Sequence, residues 1–316
     1  MTLSLLLAAA VLLGQADAGY VREKTSDGAH CLRWPVTAGT TPQLAFVQSA
    51  TGDSKLGAAF FTAVSSAEAT WATQASSCSS LALREGAHST SRLVGYDSSG
   101  ANENLVLART TDCSIAVLPG DPCQSSGTCG NVHDCWEHGA GVLALTLLTF
   151  DLNGLLLDAD VEINAATANP SVVDSPPCTG GSIDAGCVAN DVQNTVTHEL
   201  GHALGLDHSP DPASTMFASA PLGETSKRIL DPASKQFVCD VYARGLASSD
   251  CSLADAGTDA GTGGGGGGSG QGGVPSGPPG PGIARTTSGC AAVPGAAPPV
   301  GVLAALSLLA LATRRR

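Results

Sequence analysis

Residues 198–208 read HELGHALGLDH. On an α-helix His198 and His202 lie one turn apart on the same face, so both ring nitrogens can reach one ion at about 2.0 to 2.1 Å. Glu199 flanks that face, placed to take a proton from an attacking water rather than to hold the metal. Gly205 tolerates a positive φ, so the helix is expected to end there and turn the chain until His208 supplies a third nitrogen. Three protein ligands and an open fourth position are the pattern of a catalytic zinc, whereas a structural zinc fills all four. With seven histidines in 316 residues, a chance match to all five motif positions is on the order of 10⁻⁵ per chain.

HExxHxxGxxH followed by a methionine turn is the metzincin signature, and Ser214-Thr215-Met216-Phe217 supplies such a turn. Ser209 follows the third His, which resembles the matrixin branch rather than the astacins (Glu there) or the adamalysins (Asp). No Tyr stands two residues after Met216, so the extra tyrosine ligand of astacins and serralysins has no counterpart. Gly154 to Asn164 (GLLLDADVEIN) resembles the strand before the active-site helix of bacterial matrixins, and Arg228 to Tyr242 resembles their C-terminal helix. The resemblance covers most of residues 30–245.

This resemblance implies an α+β fold: a metzincin-like zinc protease domain with a twisted mixed sheet of about five strands and three main helices. It implies one catalytic Zn2+ held by His198, His202 and His208, with Glu199 as the catalytic base and a protein or peptide as substrate. In matrixins the strand matching Val142 to Leu148 is the sheet edge above the active site, where an extended substrate adds as a further strand. The residues themselves are equally compatible with an internal strand. The segment after Met216, roughly Phe217 to Ile229, is expected to line the specificity pocket. A PRCGxPD-type latency segment and the histidine-rich second zinc site of animal matrixins have no match. Cys31 stays open as a latency thiol, and Ca2+ on Asp158 or Asp160 has no support in the pattern.

The first 18 residues carry an apolar run, Leu3 to Leu13, and then Ala16-Asp17-Ala18. They read as a secretory signal with mature residues starting at Gly19, although no Lys or Arg precedes the run. From Asp255 the composition collapses into Gly, Ala, Pro, Ser and Thr, with six consecutive glycines at 263–268. Such a stretch buries too little apolar surface to offset its ordering entropy and reads as a flexible tether. Cys290, an apolar segment at 300–312 and three terminal arginines follow, resembling the C-terminal sorting signals of myxobacterial surface proteins. The expected organisation is therefore a signal peptide (1–18), a catalytic domain (19–252), a linker (253–289) and a sorting or anchor segment (290–316). Membrane or cell-envelope attachment follows, with the tail either clipped at Cys290 or kept as an anchor.

Fifteen basic against 28 acidic residues, a net charge of -13, argue against nucleic-acid binding, which calls for a basic patch. About 235 residues between signal and tether suffice for one cored domain, and a monomer is expected. Of eleven cysteines, setting Cys290 aside leaves an even ten, the count of up to five disulfides in a secreted chain. Short spacing suggests Cys178 with Cys187 and Cys239 with Cys251. Cys123, Cys129 and Cys135, near His133 and His138, are read as disulfide-bonded rather than as a second metal site.

Strands are expected at Gln43–Gln48, Arg92–Tyr96, Leu105–Arg109, Gly141–Phe150 and Leu155–Asn164, the last two joined by a hairpin through Asn153-Gly154. A helix is expected over Leu56–Ala75, with Phe60, Val64, Ala67 and Trp71 on its buried face. Asp191 or Asn190 would cap the motif helix, and Asp231 with Pro232 would open a last one. The reading is a secreted zinc-dependent endopeptidase. The alternative is a surface display or adhesion protein that keeps the zinc fold without useful proteolysis. Glu199 weighs against it, because a purely structural site has no need of a carboxylate beside its first ligand.

Overall fold

The computed structural model describes residues 19–179, 183–184, 186–251 and 282–292. The expected signal and the apolar C-terminal segment lie outside the described residues. The elements in chain order are β1 (Gln43–Gln48), α1 (Ala58–Cys78), β2 (Ala82–Glu85), β3 (Asn104–Arg109) and three single-turn helices, α2 (Cys113–Ala116), α3 (Pro122–Ser126) and α4 (Cys129–His133). Then come β4 (Val142–Asp151), β5 (Leu156–Asn164), the two-residue strands β6 (Pro170–Ser171) and β7 (Asn190–Asp191), α5 (Val192–Ala203), β8 (Ser219–Ala220), a 3-10 turn (Ser226–Arg228), α6 (Pro232–Val241) and β9 (Ile283–Ala292).

The main sheet runs β2-β1-β3-β5-β4-β9-β8. β2, β1, β3 and β5 are parallel, β4 turns antiparallel to β5, and β9 is antiparallel to β4. The five strands from β2 to β4 with the helices α1, α5 and α6 make the expected α+β, metzincin-like architecture; β9 and β8 extend it. β4 and β5 alternate as buried strands do. Ala144, Leu148 and Phe150 join the large core beneath α1 and α5, while Leu147 packs with Val47, Val94, Leu105 and Leu107 on the other face. Gly154, at φ +74°, turns the hairpin where Asn-Gly was expected to.

α1 begins two residues later and ends three residues later than the periodicity suggests, and it buries Phe60, Val64, Ala67 and Trp71. Arg92–Tyr96 is not a strand. Its backbone donors go to side chains instead, Val94 to Asn131 Oδ1 (3.0 Å) and Gly95 to Asp160 Oδ2 (2.5 Å), so no ladder forms. β2 had no strong signal, being a short edge strand with only half-buried or exposed residues.

Five disulfides tie the domain: Cys31–Cys251, Cys78–Cys239, Cys113–Cys135, Cys123–Cys129 and Cys178–Cys187. The 178–187 pair matches its short spacing. Cys239 does not pair with Cys251: α6 packs beside α1 and presents Cys239 to Cys78, leaving Cys251 to reach the N-terminal segment at Cys31. With its sulfur in that bond, Cys31 is no latency thiol. Cys123, Cys129 and Cys135 are likewise all bonded, so the second metal site has no thiolates to offer. Cys290 is the free cysteine, and it is buried.

One composition-based boundary falls inside an element. Residues 283–289, assigned to the flexible linker, form β9 together with Cys290–Ala292. The glycine-rich run that suggested a tether stops before Ile283, and the β-branched Thr286 and Thr287 sit in a paired strand. Among the described residues no helix is long and apolar enough to cross a membrane.

Candidate metal centre

α5 carries the candidate site, and several interactions fix its pose. At its start the Asp191 carboxylate accepts from the Asn194 N–H at 2.7 Å, so Asp191 rather than Asn190 is the cap. Asp191 also receives two bonds from Arg228 at 2.8 and 2.5 Å, a bidentate pair that ties the cap to the turn before α6. In its middle the Thr197 carbonyl accepts from Trp71 Nε1 (2.8 Å). At its end the orphan carbonyls of Ala203 and Leu204 accept from Trp34 Nε1 (2.8 Å) and the Tyr242 hydroxyl (2.6 Å). Val192, Val196 and Leu200 are buried in the core as their spacing requires.

Gly205 has φ +104°, and a Cβ there would lie 2.4 Å from the Leu32 carbonyl oxygen. The residue therefore both ends the helix and lets the N-terminal segment pass behind it. The chain then turns back, and His208 faces α5. The three ring nitrogens converge: His202 Nε2 lies 3.2 Å from both His198 Nε2 and His208 Nε2. His198 Nδ1 bonds the Thr215 carbonyl and His202 Nδ1 the Leu206 carbonyl, each at 2.7 Å. Those bonds put the proton on Nδ1 and leave the Nε2 lone pairs aimed at one point.

Bonds of about 2.0 to 2.1 Å to a tetrahedral ion place ligands about 3.3 Å apart, which the observed separations match. The donor set thus fits zinc. Burial disfavours the charged form of all three rings, and their mutual proximity pushes His198 and His202 further down. Neutral imidazoles are the form that ligates a cation.

Glu199 is fully buried on the same turn. Its Oε2 accepts from Thr146 Oγ1 of β4 at 2.8 Å, and that hydroxyl also reaches the Glu199 backbone carbonyl at 3.0 Å. Its Oε1 accepts from the Cys290 backbone N–H at 3.0 Å. Burial raises its pKa to about 8, against the opposing pull of Thr146, Cys290 and the Lys227 charge. Thr146 was not singled out in the sequence; it is one of two hydroxyls within LALTLLTF, and nothing in the run separates it from Thr149.

The Met turn lies beneath the histidines. Ser209 N–H bonds the Met216 carbonyl (2.9 Å) and Phe217 N–H the Ser214 carbonyl (3.1 Å), holding Thr215 where its carbonyl meets His198. Met216 is 1 % exposed. Beyond it, the expected pocket-lining segment contains Lys227, which is buried with its Nζ on the carbonyls of Phe217 (2.6 Å) and Ser219 (3.0 Å). Asp158 and Asp160 lie away from the histidines. Asp160 accepts from the backbone of Gly95 and Leu105.

The edge of β4 nearest the site is not free. β9 pairs with it from Val142↔Ala291 to Asp151↔Ile283, where the resemblance placed a substrate.

Fold and site together define a metzincin-like peptidase domain. The chain belongs to the matrixin family of peptidases, whose family model matches residues 64–243, more than half of its length. Matrixins are zinc-dependent metalloproteases. The chain is also similar to a probable matrix metalloproteinase, 095L, of Invertebrate iridescent virus 3, with 42 % identity over 65 residues. That match spans 21 % of this chain and 15 % of the viral protein.

Proposed function

We propose that this matrixin is a secreted zinc-dependent endopeptidase in which His198, His202 and His208 hold the ion and Glu199 is the catalytic base. The observation that carries the reading is the convergence of three histidine Nε2 atoms beside Glu199, a buried carboxylate on the helix that carries the first two. A bound zinc supplies a Lewis acid that polarises the scissile carbonyl and activates water. The protein's own groups do the rest. Thr215 and Leu206 carbonyls fix the tautomers of the first two ligands, and Thr146 holds Glu199 toward the cleft. The carboxylate takes a proton from the attacking water and passes it to the departing amine.

Five disulfides support an oxidising, extracellular destination, in keeping with the apolar N-terminal run as a signal. A monomer is part of the same proposal. For the uncut chain, envelope attachment through the C-terminal Cys, apolar segment and arginines is part of the same proposal.

The test is digestion of casein by the full chain, with and without a chelator and after zinc is returned. Chelator-sensitive, zinc-restored cleavage is expected. Correctly folded protein that binds no zinc, or that cleaves equally in chelator, would refute the reading.

A further inference from the structure

The strand that fills the cleft is bracketed on both sides. β4 flanks it antiparallel over its whole length, and β8 pairs with Ala291 and Ala292 in parallel. Ala291 N–H donates to the Ala218 carbonyl (3.0 Å) and Ala292 N–H to the Gly141 carbonyl (2.8 Å). Upstream, Arg285 donates to the Tyr96 carbonyl (3.2 Å) and Ser288 Oγ to Glu23.

One peptide group is singled out by its neighbours. The Cys290 nitrogen donates to Glu199 Oε1. The backbone of the preceding residue, Gly289, lies against the His208 ring. The carbonyl of residue 289 and the nitrogen of residue 290 are the two ends of one amide. That amide therefore lies between the His208 ring and the Glu199 carboxylate, with its nitrogen on the carboxylate.

The flanking side chains fit the same placement. Gly289 has no room for a side chain: a Cβ would fall 2.4 Å from the Ala144 carbonyl oxygen and 3.0 Å from Leu145 Cα. Cys290 is fully buried in a niche with Leu143, Ala168 and Ala220, its Sγ 3.9 Å from Lys227 Nζ. The thiol thus points toward Lys227 and the niche, and what meets the histidines is backbone.

We propose that the chain's own segment Ile283–Ala292 is the first substrate of this site, blocking it until the Gly289–Cys290 bond is hydrolysed. This rests on the peptidase reading above. Water adds its oxygen to the Gly289 carbonyl carbon and the C–N bond breaks. The electron pair stays on the Cys290 nitrogen, which takes the proton carried by Glu199. The products are a carboxylate at Gly289 and a free amine at Cys290. Losing residues 290–292 removes both the niche anchor and the β8 pairing, so the remaining strand loses its hold and the cleft opens.

The full chain carrying Glu199→Gln, which cannot cut itself, serves as reference. Cys290 is its one thiol outside the disulfides, so native labelling with a maleimide reports whether the strand is docked. Labelling should be at least tenfold slower than in Glu199→Gln chains that also carry Gly289→Val or Ala291→Pro; equal rates would overturn the proposal. The chain with Glu199 intact, loaded with zinc, should convert by intact mass to a species ending at Gly289, with a rate constant independent of protein concentration. A chain that stays whole while it digests casein overturns self-cleavage and leaves the peptidase reading standing. Failure of both this chain and its Gly289→Val form to cut either casein or themselves overturns both.

Discussion

Met216 and Gly201 are in direct contact: a Cβ on Gly201 would lie 2.3 Å from the Met216 sulfur and 3.0 Å from its terminal methyl. The glycine inside the HELGH run is thus a packing requirement of the turn that supports His198 through Thr215. Gly201→Ala should lower stability by about 1 to 3 kcal/mol through overpacking, despite the better helix propensity of alanine. It should also weaken zinc binding, because Met216 cannot retreat without moving Thr215. Urea unfolding and a zinc titration check both effects; an unchanged affinity would mean the turn is not a support of the ligands.

Glu199→Gln is expected to keep the metal and lose roughly 10² to 10⁴-fold in casein cleavage, the range for a general base. The amide oxygen can still accept from the Cys290 N–H while its NH2 donates to Thr146 Oγ1, so the fold should be retained. Parental turnover in this variant would remove Glu199 from the mechanism.

Zinc should raise the unfolding temperature of the full chain, since an ion that binds only the folded state stabilises by about 2.7 kcal/mol at a hundred times its Kd. His208→Ala should abolish that shift, because it removes one of three nitrogens while the other two stay pinned to Thr215 and Leu206. Thermal scans with and without zinc decide the matter.

Glu68 is buried on α1 with neither carboxylate oxygen bonded. Burial, with a smaller push from Glu85, raises its pKa to about 8 from 4.5. A raised folded-state pKa favours the protonated folded form. Its stabilising contribution is therefore complete below about pH 4.5 and lost as pH climbs to about 8. Glu68→Gln should flatten that decline and be the more stable protein at pH 8.5, by on the order of 2 kcal/mol. Denaturation midpoints at pH 5 and pH 8.5 measure it, and parallel curves for the two proteins would contradict it.

What could be read from the residues was what local chemistry dictates. Asp191, the HExxH spacing, Gly205 and Asp231-Pro232 each act within a few positions of themselves, and the structure puts all of them where expected. What could not be read depends on partners distant in sequence. Cys239 was assigned to Cys251 by proximity along the chain, but α1 and α6 pack together and decide otherwise. Arg92–Tyr96 has strand-like residues, yet Asn131 and Asp160 take its donors. β9 follows a run of glycines, and only the vacant edge of β4 makes a strand of it. Thr146 and Lys227 are polar groups whose value appears once Glu199 and the Phe217 carbonyl are set beside them.

The bond between Cys31 and Cys251 joins positions 220 apart in the chain, and this governs when folding can finish. The N-terminal segment passes behind Gly205, and its tether to the rest cannot form before Cys251 has been synthesised. Until Cys251 has emerged and been oxidised, residue 31 keeps a reactive sulfur and the back of the motif helix has no covalent clasp. Covalent closure of the fold therefore waits on whatever oxidant the chain meets once residue 251 is exposed.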